Sequence, residues 1–187
     1  WDVVSGADAN VIKGFSGNNM FTYKYSHDSG INLTLSYINA SDAVTDVSYS
    51  DYGITYTGMD GLTLGYGEGD VENVTGTKSA ESTMFAKYAM GGFTVGIQTS
   101  EKDNDGSSDV ESTGIGISYQ VNDDLSLSYG TNTIETVGST DQDSVAVGVS
   151  YTMGSLGISF SMNQVDNIAH SATNDREAYQ LGLSFAF

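Results

Sequence analysis

The chain has no cysteine and no proline, two histidines, and only six Lys and Arg against twenty-four Asp and Glu. Without cysteine there is no disulfide framework, thiolate zinc site or thiol redox centre, although this absence names no compartment. A net charge of −18 leaves no basic surface to hold a polyanion, which excludes nucleic acid as a partner. No run approaches the roughly 18 consecutive apolar residues of a membrane helix. That does not exclude a membrane protein made of strands, whose alternating segments average out in a long window. The chain also starts without Met or signal-peptide features, so we expect it to be processed or to begin partway through a gene product.

What is abundant favours extended structure: 23 Gly and 12 Tyr, with many Ser and Thr. Eleven segments alternate with the period of a strand, at 20–26, 31–38, 52–57, 62–67, 84–90, 93–98, 113–120, 125–131, 144–152, 156–162 and 178–187. No helical pattern intervenes. Short turns rich in Gly, Asp, Asn and Ser separate the strands of each hairpin, for example Gly91 and Gly92. Longer connectors are predicted around 40–51, 68–82, 99–112, 132–143 and 163–177.

One face of these strands is apolar throughout, as in Leu125, Leu127 and Tyr129 or Val145, Val147, Val149 and Tyr151, and no charge interrupts it. The other face carries small neutral groups such as Thr94, Gly96, Gln98, Gly114, Gly116 and Ser118, with Phe85 its one bulky apolar member and Lys24 and Lys87 its only charges. A soluble sheet would carry Lys and Glu on its outer face. A Lys or Arg on the lipid side of a barrel costs about 2–4 kcal/mol at the bilayer midplane, so a clean apolar face suits lipid and a small polar one suits a confined aqueous lumen. The tyrosines form two rings on the apolar face. Tyr25, Tyr56, Tyr88, Tyr119 and Tyr151 stand near the short turns, and Tyr37, Tyr52, Tyr66, Tyr129 and Tyr179 near the long connectors. Two membrane interfaces explain two rings. Most carboxylates lie in or beside the long connectors, giving one acidic rim.

On the terminal YQLGLSFAF, the repeated cassettes such as SVAVGVSYTMGSLGISFSMNQ and the periodic Tyr, the chain resembles the Gram-negative outer-membrane porins, the general diffusion porins of alphaproteobacteria in particular. The resemblance implies an all-β, transmembrane, antiparallel up-and-down barrel that conducts small hydrophilic solutes and ions passively across the outer membrane. It also implies a homotrimer, contact with lipid and lipopolysaccharide, and a closing Phe187 read by the barrel assembly machinery. Open sheet edges do not survive in hydrocarbon and such barrels have even strand numbers, with about sixteen in this family, so eleven strands are expected to be the carboxy-terminal part of a larger barrel. Residues 1–187 then form one domain, with 1–19 as a constriction-loop segment and 20–187 as strands. The rival is a twelve-stranded barrel whose first strand lies in Ala9 to Ser16. The pore-lining residues the resemblance implies are Asp2, Asp8, Lys13, Lys24 and Lys87. Lys24 and Lys87 also read as ordinary solubilising groups on the wall.

Residues 101–112, EKDNDGSSDVES, resemble a calcium loop, with Glu101, Asp103, Asp105 and Asp109 as candidate ligands around Gly106. Glu in the first position and Ser112 in the last depart from the EF-hand pattern, and the expectation is an acidic loop that attracts Ca2+ or other divalent ions loosely, with no cofactor. His27 and His170 read as surface residues. Asp166, His170 and Ser171 place no nucleophile against a base, and the Gly114 and Gly116 pair lacks the context of a phosphate cradle, so enzymatic activity is not expected. The alternative to a porin is a secreted or surface β-rich structural protein, such as an adhesin.

Overall fold

In the computed structural model, which describes residues 20–39, 47–73, 76 and 78–186, the chain is one antiparallel sheet of eleven strands paired strictly in sequence order. They are β1 (Met20–Ser26), β2 (Ile31–Ile38), β3 (Val47–Met59), β4 (Leu62–Asn73), β5 (Lys78–Met90), β6 (Phe93–Asn104), β7 (Val110–Gln120), β8 (Leu125–Thr136), β9 (Gln142–Met153), β10 (Leu156–Asp166) and β11 (Arg176–Phe185). A 3₁₀ turn, Ile168–His170, interrupts the connector before β11.

Register follows the alternation. In β9 and β10, Tyr151 faces Ile158, Val149 faces Phe160 and Val147 faces Met162, so apolar side chains stack on one side of the sheet. A slip of one residue would turn every one of them over. The turns hold this register. At the β4–β5 side of the β3–β4 turn, Gly61 adopts φ 74° and its carbonyl accepts the Ala89 N–H at 2.8 Å. A side chain on Gly61 would run into the Ala89 carbonyl, so the position requires glycine twice over.

The hydrophobic side chains do not make a core. Phe21 and Leu181 are each 67% exposed, and Leu127, Val147 and Phe160 share the same open face. Among the described residues only Tyr49, Ile134, Val165 and Ile168 are buried hydrophobics, and the three on strands belong to the polar face. No helix among the described residues is long and apolar enough to cross a membrane, which says nothing of strands.

The short turns fall where the sequence places them, but the long connectors are shorter than predicted. β4 runs on to Asn73, β5 starts at Lys78, β6 reaches Asn104 and β8 reaches Thr136. What joins β6 to β7 is 105–109, and β8 to β9 is 137–141. Beyond the tyrosine ring the outer face carries acids and the inner face buries mostly polar side chains such as Glu81, Ser112, Asn132 and Gln142, so the apolar–polar alternation ends although the hydrogen-bonded ladder continues. Pattern reading stops where the contrast in polarity between the two faces stops. The segment 1–19, the alternative first strand in Ala9 to Ser16, and Phe187 lie outside the described residues.

Candidate functional site

The polar face is best followed along the β5–β6 pair, from the short turn towards the connectors. Opposed residues there are Lys87 and Gly96, then Phe85 and Gln98, Thr83 and Ser100, and Glu81 and Lys102. Across the sheet Gly96 leads to Gly116, Gly130 and Ala146 in successive strands. Lys87 therefore lies beside a floor that is almost without side chains, and the hollow over β5–β9 has a volume of about 770 Å³. A Cβ at Gly96 or Gly116 would meet nothing closer than 3.6 Å. Packing does not demand glycine at these two positions; its effect is to leave room above the wall.

Gly65 is different. It faces Phe85 on the next strand, and a Cβ there would collide with the Phe85 ring. The ring occupies the space that a side chain at Gly65 would need.

Further towards the connectors the face becomes a network. The Thr83 and Ser100 hydroxyls are 2.9 Å apart, Gln98 Nε2 donates to Thr83 Oγ1 at 3.2 Å, and Ser112 donates to Asn132 Oδ1 at 2.9 Å. Lys102 Nζ lies 2.8 Å from Glu81 Oε1. The Glu81 side chain is only 3% exposed while that of Lys102 is 32% exposed, so the lysine covers the carboxylate. Tyr49 spreads over Gly69, which stands between Asp51 and Glu81 in the same row. The sequence reading missed this ion pair because it assigned both residues to connectors. Counting the parity of Phe85 and Gln98 onward, Glu81 and Lys102 fall on the polar side, and that was the available signal.

Lys24 sits on β1 opposite Thr34, and Lys87 on β5 opposite Gly96, both exposed on the polar face as predicted. The structure does not bring them together: four strand spacings, about 19 Å along the sheet, separate β1 from β5. Among the described residues neither has a carboxylate within ion-pair distance. Asp2, Asp8 and Lys13 lie outside the described residues.

The four candidate calcium ligands do not converge. Glu101 and Asp103 are on strand β6. The Asp105 carboxylate accepts the Lys78 N–H at 3.2 Å and so ties the β6–β7 turn to the start of β5, and that of Asp109 accepts the Asn104 N–H at 3.1 Å across the turn. Among the described residues no group of three or more His, Asp or Glu is placed to hold a metal.

On the apolar face the tyrosine ring meets a band of acids. The Tyr52 and Tyr66 hydroxyls donate to one oxygen of Glu68 at 2.6 and 2.8 Å, and Tyr179 donates to Glu177 at 3.1 Å. The acidic rim is thus carried largely on strand ends rather than in loops, and Glu68, Glu101, Glu111, Glu135 and Asp143 continue the parity of the apolar face.

The profile of a family described as Gram-negative porin matches residues 2–187. No curated protein matches the chain by sequence. Among solved structures, the anion-selective porin from Comamonas acidovorans is similar with a TM-score of 0.74 at 16% identity, over 91% of this chain and 60% of that one. OmpT of Vibrio cholerae, an outer membrane protein, is similar with a TM-score of 0.63 at 16% identity, over 89% of this chain and 63% of its own. The NanC porin is similar at 11% identity with a TM-score of 0.54, over 92% of this chain and 96% of that one. The chain therefore spans about three fifths of the length of the first two. At these identities the likeness shows the fold, and the eleven strands are an arc of β-barrel wall.

Proposed function

The chain belongs to the Gram-negative porin family, and from that premise we propose that the polar face lines a water-filled pore for passive diffusion of small hydrophilic solutes and ions. A member of this family resides in the bacterial outer membrane. The observation that carries the reading is the partition of the two faces. Leu127, Val147 and Phe160 stand open on one side, while the other presents glycine, hydroxyls and amides around Lys87 and a hollow of about 770 Å³. Hydrocarbon accepts the first face and water the second. A secreted structural protein would need a second layer over the apolar face, and the described residues supply none.

Catalysis plays no part in this reading. A homotrimer is part of it, supported by the trimer form recorded for OmpT. So are contact with lipopolysaccharide at the loop-side rim and recognition of Phe187 by the assembly machinery. With a net charge of −18 the pore prefers cations modestly at low salt, and the preference fades as screening rises. Reversal potentials across a planar bilayer in a salt gradient test this directly. Anion preference at low salt would refute the charge argument, and absence of conductance would refute the pore.

A further inference from the structure

The outer side of the sheet is uneven at one place. Ala86 on β5 stands opposite Leu64 on β4 and Ile97 on β6, and one step nearer the connectors Met84 stands between Tyr66 and Thr99. Leu64, Ile97, Tyr66 and Met84 are all exposed, while Ala86 is half-buried among them. Neighbouring strands carry large side chains at the same outward positions, as in Ile115 and Ile117 on β7 or Val147 and Val149 on β9. An alanine in such company leaves the surrounding side chains as walls. The result is a groove of about 430 Å³, which reaches across to Ile54 and Tyr56 on β3.

The lining and the surroundings of this groove define what it takes. Its walls are almost wholly apolar, and its volume falls within the range of about 300–1,000 Å³ of small-ligand sites. It opens on the face that the outer membrane surrounds, so hydrocarbon fills it, and the hydrocarbon at hand is the acyl chain of a lipid. At its loop-side end the next row of the same face is Tyr52, Glu68, Ser82 and Glu101, on β3 to β6 in order. The Tyr52 and Tyr66 hydroxyls both donate to Glu68 Oε2, at 2.6 and 2.8 Å, which fixes the carboxylate at the end of the groove. Among the described residues nothing engages Glu68 Oε1. No Lys or Arg stands in this row, so the two carboxylates repel a bare phosphate and attract an ammonium. The tyrosines mark the level at which a lipid headgroup lies.

We propose that the groove on β3–β6 is a lipid site, which seats one fatty acyl chain on Ala86 and the ammonium of an amine-bearing headgroup between Glu68 and Glu101. The groove determines where the lipid is held and the carboxylates determine which headgroup it carries. The site lies on the side turned to the membrane and does not depend on the pore reading.

The test titrates the folded, detergent-released protein with phosphatidylethanolamine and with phosphatidylglycerol of the same acyl chains, and reads bound lipid by native mass spectrometry. The unaltered protein is expected to bind one phosphatidylethanolamine about threefold more tightly than phosphatidylglycerol. Ala86→Phe fills the groove and weakens both about tenfold. Glu68→Gln keeps the chain but removes most of the preference between headgroups. Equal affinity for the two lipids in the unaltered protein, or binding unchanged by Ala86→Phe, overturns the proposal. Dissociation of an oligomer by Ala86→Phe with lipid binding unchanged also overturns it, and shows that a second copy of the chain fills the groove. A second measurement needs no groove variant. A fluorophore on Thr113→Cys, one strand beyond Thr99, and another on Val147→Cys, on the same face away from the groove, are quenched by phosphatidylethanolamine with brominated chains. Quenching at 113 that saturates at a low fraction of brominated lipid, while that at 147 rises in proportion, supports a held lipid. A proportional rise at both positions overturns it.

Discussion

From Leu125 to Tyr129, β8 sets Leu127 and Tyr129 outward, 41% and 49% exposed, and serines on the other face. From Thr131 to Thr136 the same strand points Ile134 to the inner face, where it is 6% exposed, and Glu135 outward. The backbone ladder does not change between the two stretches. What changes is the solvent on the outer side. The turn-side half follows an inverted rule, apolar out and polar in, because hydrocarbon lies outside it. The loop-side half reverses it in part, with Tyr49, Ile134 and Val165 inside and carboxylates such as Glu68, Glu111 and Glu135 outside, while Glu81 is buried inside beneath Lys102. The tyrosine ring at Tyr52, Tyr66 and Tyr179, hydroxyls turned towards Glu68 and Glu177, marks the level where one rule gives way to the other.

The largest expected effect comes from carrying charge across that boundary. Leu127→Lys places an ammonium against hydrocarbon and is expected to destabilise the barrel by about 2–4 kcal/mol in lipid, read from denaturant unfolding in vesicles. Next is Lys102→Met. It leaves the buried Glu81 carboxylate without its partner and costs about 2–3 kcal/mol, whereas Glu81→Gln costs about 1 because Lys102 can turn to water. Equal costs for the two would mean the pair is not arranged with the carboxylate beneath the lysine. Gly65→Val pushes against the Phe85 ring and costs about 1–2 kcal/mol by overpacking, an effect that Phe85→Ala should relieve in the double variant. Smallest, and opposite in sign, is Glu111→Lys. Glu111 stands directly opposite Glu101 and Glu135 on the outer face of the loop-side half, so reversing its charge stabilises by about 0.5 kcal/mol at low salt. Lysine at two sites on one face then has opposite effects, and loss of that sign difference would break the comparison.

The same boundary explains what the sequence revealed. Every strand was legible through its turn-side half, where Val147 and Gly148 differ as sharply as the media they face. The five short turns were legible through their Gly, Asp and Asn. The loop-side halves were not, because residues such as Ser79, Ala80, Glu81 and Ser82 show no apolar–polar contrast between a buried inner face that is itself mostly polar and an exposed outer one. Lys24 and Lys87 were found because a charge stands out on a bare wall, but nothing local in the chain reports that three strands lie between them. Glu81 with Lys102, and His170 with Thr136, are 21 and 34 residues apart, the first pair joined by register and the second by the path of a connector. Two facts joined only by pairing cannot be read from either segment alone.

The account depends on hydrocarbon touching one side of these strands and water the other. The absence of cysteine permits a direct measurement: single cysteines at positions 125 to 129 of β8 in the folded, lipid-embedded protein, labelled in turn with a charged water-soluble thiol reagent and with a fluorophore quenched by brominated acyl chains. The account predicts period two, with quenching at 125, 127 and 129 and reaction with the charged reagent at 126 and 128. Quenching at none of the five, or at the even positions, would contradict it.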